Sequence, residues 1–127
     1  MTSLNEVYKC NVCGNIVEVL HVGKGQLVCC GQPMALFQEK TEKDEYKEKH
    51  VPVDESTASG IRVTVGSVQH PMEEKHWIEW VEIVQNGNVW RKMLYPGQKP
   101  IAEFECGKGP VTVRSYCSLH GLWRSTI

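Results

Sequence analysis

The chain has 127 residues, with 14 Lys and Arg against 15 Asp and Glu and a formal net charge of −1; this rules out a large enzyme and leaves room for one domain, or for a small domain joined to a slightly larger one. No long basic stripe is present, so the electrostatic footprint of a nucleic-acid binder is missing. The opening stretch MTSLNEVYKC has no apolar run behind a basic patch, and no stretch of about eighteen apolar residues occurs; neither a secretory leader nor a membrane span is expected, and the expected compartment is the cytoplasm.

In a reducing compartment the six cysteines argue for metal or redox chemistry more than for disulfides. CNVC supplies Cys10 and Cys13, and VCC supplies Cys29 and Cys30. Four thiolates by count, with the first pair at knuckle spacing, suit one tetrahedral zinc or iron. Adjacent cysteines in an extended strand point to opposite faces. Cys29 and Cys30 can therefore reach one ion only if the backbone bends sharply between them.

The next stretch, QEKTEKDEYKE at 38–48, is charged and without apolar period, which reads as a linker or exposed loop and puts a domain boundary near residue 38. Beyond it, IRVTV (61–65), IAEFEC (101–106) and VTVRSYC (111–117) alternate as strands, separated by turn-rich YPGQKP and GKGP. HWIEWVEIV has apolar positions compatible with a helix, but Asn86-Gly87 follows it and VWRKML follows that; two such runs joined by Asn-Gly predict a hairpin. Several short strands and no helix of ordinary length suggest an antiparallel sandwich.

Four of the five histidines border these strands: His50 in KHVPV, His70 in QHPM, His76 in KHW and His120 in CSLHG, three residues after Cys117. Pro71 holds His70 extended. Alternation puts Cys117 on the apolar face of Val111 and Val113, and a buried thiolate needs a cation. Four imidazoles and one thiolate suit a first-row transition metal, and five protein ligands leave one octahedral position open for a small ligand. The set favours a one-electron donor, since neutral nitrogen donors favour the ferrous state and a thiolate pushes electron density toward the open position.

Together YKCNVCGNIVEVL, LVCCGQPM, KEKHVPV, VGSVQHPMEEKHWIEWVEI, LYPGQKP and YCSLHGLW carry a resemblance to the desulfoferrodoxins, the two-iron class of superoxide reductase, over essentially the whole chain. The resemblance implies an all-β protein. Residues 1–37 would form a desulforedoxin-like domain with an iron on Cys10, Cys13, Cys29 and Cys30. Residues 38–127 would form an immunoglobulin-like β-sandwich with an iron on His50, His70, His76, His120 and Cys117. It also implies reduction of superoxide to hydrogen peroxide without dioxygen, a homodimer, and a rubredoxin-like electron donor.

Within KEKH, Lys49 on an exposed loop would attract the small anion. In an extended segment Glu48 lies on the side of His50 and could reach the open position once the metal is oxidised, as in the closed ferric form of the family. Glu73, Glu74 and Lys75 of the second tetrad read as a surface turn. Cys106 reads as a small core residue, His21 as exposed, and Trp77 and Trp80 as core aromatics rather than walls of the site. A rubredoxin-type electron carrier, a zinc-stabilised interaction module and a superoxide dismutase are the alternatives; the first two have no use for four histidines beside a separate Cys-x-x-His.

Overall fold

Residues 1–41 and 43–126 are described by the computed structural model, whose chain divides into two units, Met1–Gln38 and Glu39–Ile127. In the first, β1 (Val7–Lys9), β2 (Ile16–Glu18) and β5 (Ala35–Leu36) form an antiparallel sheet in the order β2-β1-β5. A two-stranded hairpin, β3 (Val28–Cys29) and β4 (Gln32–Pro33), lies between β2 and β5 in sequence. The buried apolar residues here are Val7, Cys10 and Val19. So small a core relies on a further cross-link such as a structural metal.

Among its described residues the second unit has seven strands and one helical turn. The turn, α1 (Lys47–His50), precedes β6 (Pro52–Ser56), β7 (Gly60–Val65), β8 (Ile78–Gln85), β9 (Asn88–Met93), β10 (Ile101–Glu105), β11 (Thr112–Cys117) and β12 (Gly121–Thr126). Strands pair antiparallel into two sheets, β10-β7-β6 and β12-β11-β8-β9. Ile61, Val63 and Val65 of β7 meet Val81 and Ile83 of β8, Phe104 of β10 and Val113 and Cys117 of β11 in one core. This is the layered sandwich that alternation in those segments predicts, and the fold is all-β apart from α1.

Asn86 and Gly87 have φ of 49° and 79° between the paired Gln85 and Asn88, so both turn residues take the left-handed conformation that matches strand twist. The segment HWIEWVEIV is accordingly strand from Ile78 onward. Its register shifts against β11 between Tyr116 and Cys117. The shift puts Ile78 with Cys117 on the core side, while Trp80 faces the outer side with Tyr116, the rings stacked at 5.8 Å.

Part of the charged stretch 38–48 is less free than its composition suggests. Lys40 pairs with β12: its N–H donates to the Leu122 carbonyl at 2.9 Å and its carbonyl accepts from Arg124 N–H at 2.8 Å. The pairing covers part of an edge that would otherwise be open. Residues 43–48 are exposed.

Register also fixes what meets at one end of the sandwich. Pro52 opens β6 opposite Val65 at the close of β7, Cys117 closes β11 opposite Ile78 at the start of β8, and Gly121 opens β12 opposite Cys117. Hence α1, the β7–β8 crossover and the β11–β12 turn come together, and these three segments carry His50, His70, His76, Cys117 and His120.

Candidate metal centres

In the first unit the bend between adjacent cysteines is present. Cys30 has a φ of 51° and Gly31 one of 73°, making Cys30-Gly31 the two-residue turn of the β3–β4 hairpin, since Cys29 pairs with Gln32. The turn brings the Cys29 and Cys30 sulfurs to 3.9 Å, and Cys13 Sγ lies 3.5 Å from Cys29 Sγ. All four sulfurs lie within 4.8 Å of one another, and none is in a disulfide.

Backbone N–H groups of Cys13 and Val12 point at Cys10 Sγ, each at 3.4 Å. They draw that thiol down to about 6. Contact with the Cys13 and Cys10 sulfurs pushes Cys29 up to about 12 instead. One thiolate forms readily, but four in so small a space need a cation among them. The donor set fits a tetrahedral metal of the zinc or iron type.

At the end of the sandwich, His50 Nδ1 lies 2.8 Å from the Tyr46 carbonyl and His70 Nδ1 lies 2.6 Å from the Pro71 carbonyl. A carbonyl only accepts, so Nδ1 carries the proton in each ring and Nε2 presents a lone pair. Those two Nε2 atoms nevertheless face each other at 3.0 Å. His120 Nδ1 stands 3.1 Å from His50 Nε2, and Cys117 Sγ stands 3.3 Å from His70 Nε2 and 3.8 Å from His120 Nδ1. His76, Cys117, His120 and His50 offer ligand atoms within 4.8 Å of one another, and His76 Nε2 is buried without a hydrogen-bond partner. Lone pairs converging on one point and an orphaned buried nitrogen are what a shared cation resolves. His50, His76, Cys117 and His120 form a cluster that fits a metal, and His70 Nε2 borders it beside His50 and Cys117.

Burial sets the electrostatics. His50 and His70 are each 1% exposed and Cys117 is 0% exposed, so desolvation keeps the imidazoles neutral, with His70 pushed down to about 4. Burial also pushes the Cys117 thiol up, against the pull of the Leu119 and His120 backbone N–H groups. His76 and His120 are half-buried, and their side is the one open to solvent.

The region around Glu48 departs from expectation. Lys47–His50 is a helical turn rather than extended chain, and residues two apart on a helix do not face the same way. Glu48 is therefore turned from the side on which His50 meets the other ligands. Both Glu48 and Lys49 are exposed, while their backbone is pinned. The Glu48 carbonyl accepts from Val68 N–H at 2.7 Å and Ser67 Oγ at 3.2 Å. Gly66, with a φ of +87°, packs so close that a Cβ there would stand 2.6 Å from the Lys49 carbonyl oxygen.

Two residues beside the ligands escape sequence reasoning. The indole of Trp123, 0% exposed, stacks on His50 and donates its Nε1–H to the His120 carbonyl at 3.2 Å. Tyr46, in the left-handed region with a φ of 63°, lays its ring 5.1 Å from that of His120. Their signals were a Trp at alternating strand spacing and a Tyr in a charged run, neither of which points to a metal. Trp77 ties its N–H to Ser118 Oγ and its indole N–H to the Leu94 carbonyl. Cys106 is half-buried against the core, and His21 is exposed.

Residues 2–37 match the family described as desulfoferrodoxin, N-terminal domain, and residues 42–126 the family described as desulfoferrodoxin. The chain is similar to a desulfoferrodoxin homolog of Archaeoglobus fulgidus, 59% identical over 98% of this chain and 99% of that one. It is similar to a superoxide reductase of Pyrococcus abyssi, 31% identical over 63% of this chain and 86% of the other. Among solved structures, the superoxide reductase from Treponema pallidum shares the fold with a TM-score of 0.77, at 24% identity over 94% of this chain and 95% of that one.

Proposed function

The chain belongs to the desulfoferrodoxin family and is a superoxide reductase, and on that premise we propose which of its residues do the work. The observation that carries the reading is the convergence of His50 Nε2, His70 Nε2, His120 Nδ1 and Cys117 Sγ beside the unpartnered His76 Nε2. These five side chains would hold one iron, and Cys10, Cys13, Cys29 and Cys30 a second. An iron held in the His/Cys site would supply one-electron redox chemistry, by which superoxide, one electron from the donor and two protons from water would give hydrogen peroxide.

Each protein group has a separate task. The Tyr46 and Pro71 carbonyls fix the tautomer and direction of His50 and His70, and Trp123 holds the His50 ring plane. Cys117, buried on β11 between β8 and β12, would give its sulfur as a thiolate once a bound cation offsets the burial that raises the thiol. Lys49, exposed at the end of a pinned turn, draws the anion toward the side left open by His76 and His120. Glu48 would approach the ligands only when α1 unwinds, which makes it a residue of the resting oxidised state rather than of turnover.

The reading includes a homodimer, a rubredoxin-like donor and a cytoplasmic location in which a reducing pool keeps the four clustered thiols free. No helix among the described residues is long and apolar enough to cross a membrane. The decisive experiment is the product balance when iron-loaded, fully reduced protein meets a known dose of superoxide with donor in excess. Peroxide equal to the superoxide consumed, without dioxygen, is expected. Half that yield with dioxygen as the balance means a dismutase, and no reaction above the spontaneous rate removes the reading.

A further inference from the structure

We propose that Lys40 is a second, fixed cation of the His/Cys centre, held over Trp123 so that its charge favours the reduced state of the site and the approach of anions to it. The inference deepens the reading above by adding a residue to that site. Composition alone assigns Lys40 to a solvated charged stretch. The fold does otherwise: the Lys40 backbone is clamped on both sides to β12, through Leu122 and Arg124, and the residue is half-buried. Its Nζ lies 5.5 Å from the centroid of the Trp123 ring. That same fully buried indole stacks on His50 at 4.7 Å and hydrogen-bonds the His120 carbonyl.

An ammonium on an indole is attracted by the ring's negative face, so it has a preferred resting place. Seated on a buried aromatic that itself stacks on a ligand ring, rather than surrounded by bulk water, it has a field screened less than that of an exposed lysine. A fixed positive charge disfavours any further rise in the positive charge of the centre. It therefore stabilises the ferrous over the ferric state, and it adds to the potential that draws a small anion inward. Lys49 differs in kind, because it is exposed on α1 and open to screening by salt.

The test compares Lys40→Met, which keeps the length of the side chain over the indole, with Lys40→Arg, which keeps the charge, in iron-loaded protein. Three quantities are read: the midpoint potential of the His/Cys centre, the affinity of its oxidised form for azide as a probe anion, and the salt dependence of superoxide consumption. In Lys40→Met the potential falls, azide binds about threefold to tenfold more weakly, and the salt sensitivity of the rate, which the exposed Lys49 sets, is nearly unchanged; Lys40→Arg restores the potential and the azide affinity. If Lys40→Met matches the parent protein in potential and azide affinity and only melts earlier, Lys40 is a packing residue and the proposal fails. Should the Met variant not fold, Lys40→Gln is read in the same way. Potential and azide affinity do not depend on superoxide chemistry, so failure of the parent protein to consume superoxide removes the functional reading while these two still decide the role of Lys40.

Discussion

The indole of Trp123 lies flat against the imidazole of His50, with ring centroids 4.7 Å apart and 17° between the planes. One buried side chain thereby orients His50 through its face and the His120 backbone through its N–H. Trp123→Ala should cost about 3–5 kcal/mol, the range for emptying an aromatic site in a core, and should release the iron of the His/Cys centre while the four-cysteine site keeps its own. Trp123→Phe retains the stack and loses one hydrogen bond, about 1 kcal/mol, with both irons held. Urea unfolding and iron per chain measure both. Retention of two irons by Trp123→Ala at unchanged stability would contradict the role.

Gly66 is a second lever on the same ligand. At a φ of +87° a side chain is strained, and a Cβ would stand 2.6 Å from the Lys49 carbonyl oxygen, in the turn that delivers His50. Gly66→Ala should destabilise the second unit by about 1–3 kcal/mol and displace α1, so that iron binding at the His/Cys centre weakens. A calorimetric scan with an iron titration reads the effect; a variant equal to the parent in both would show that α1 tolerates the shift.

Lys49 and Glu48 separate in their effects. Lys49→Ala should slow superoxide consumption about threefold to tenfold at low ionic strength and flatten its salt dependence. Glu48 is turned from His50 while α1 is formed, so Glu48→Ala should leave the rate nearly unchanged and alter only the absorption spectrum of the oxidised centre. Pulse radiolysis at several salt concentrations distinguishes them, and a large loss of rate in Glu48→Ala would overturn the assignment.

The two metal sites draw on separate residues, so they can be emptied independently. Cys13→Ser should remove the metal of the first unit, because four sulfurs within 4.8 Å become three. Superoxide consumption by a chemical reductant should continue at the parent rate. Metal analysis with the product balance tests this, and loss of turnover would give the first centre a direct part in the reaction.

Acidity should expose the buried imidazoles. An unfolded histidine titrates near ~6.5, whereas burial pushes His70 down to about 4 and lowers His50 as well. Between those values the unfolded metal-free chain binds more protons than the folded one, so stability rises with pH there. Their contribution is complete above about 6.5 and is lost as the pH falls toward 4. Urea midpoints of metal-free protein at several pH values read it, and a flat profile across that interval would show that these rings are not desolvated.

Much of this was open to inspection in the sequence. Cys-x-x-Cys with Cys-Cys, the four histidines and Cys-x-x-His point to the side chains that the fold gathers into two clusters, and Asn86-Gly87 settles a hairpin against a helix. Even the bend at Cys30 is implied by two adjacent thiols that must meet one ion. These are legible because ligand chemistry restricts residue type, and tight turns restrict backbone conformation, both locally along the chain.

What lies between the ligands was decided only by the tertiary structure. Alternation does not reveal the register shift at Tyr116 and Cys117 that turns Trp80 away from the site, nor the helical turn that directs Glu48 away from His50. It does not reveal that Trp123, Tyr46 and Lys40 gather around the imidazoles. Their places depend on pairing between strands and segments distant in sequence. An aromatic or a lysine has no chemistry that marks it as part of a metal site until the fold puts it beside one.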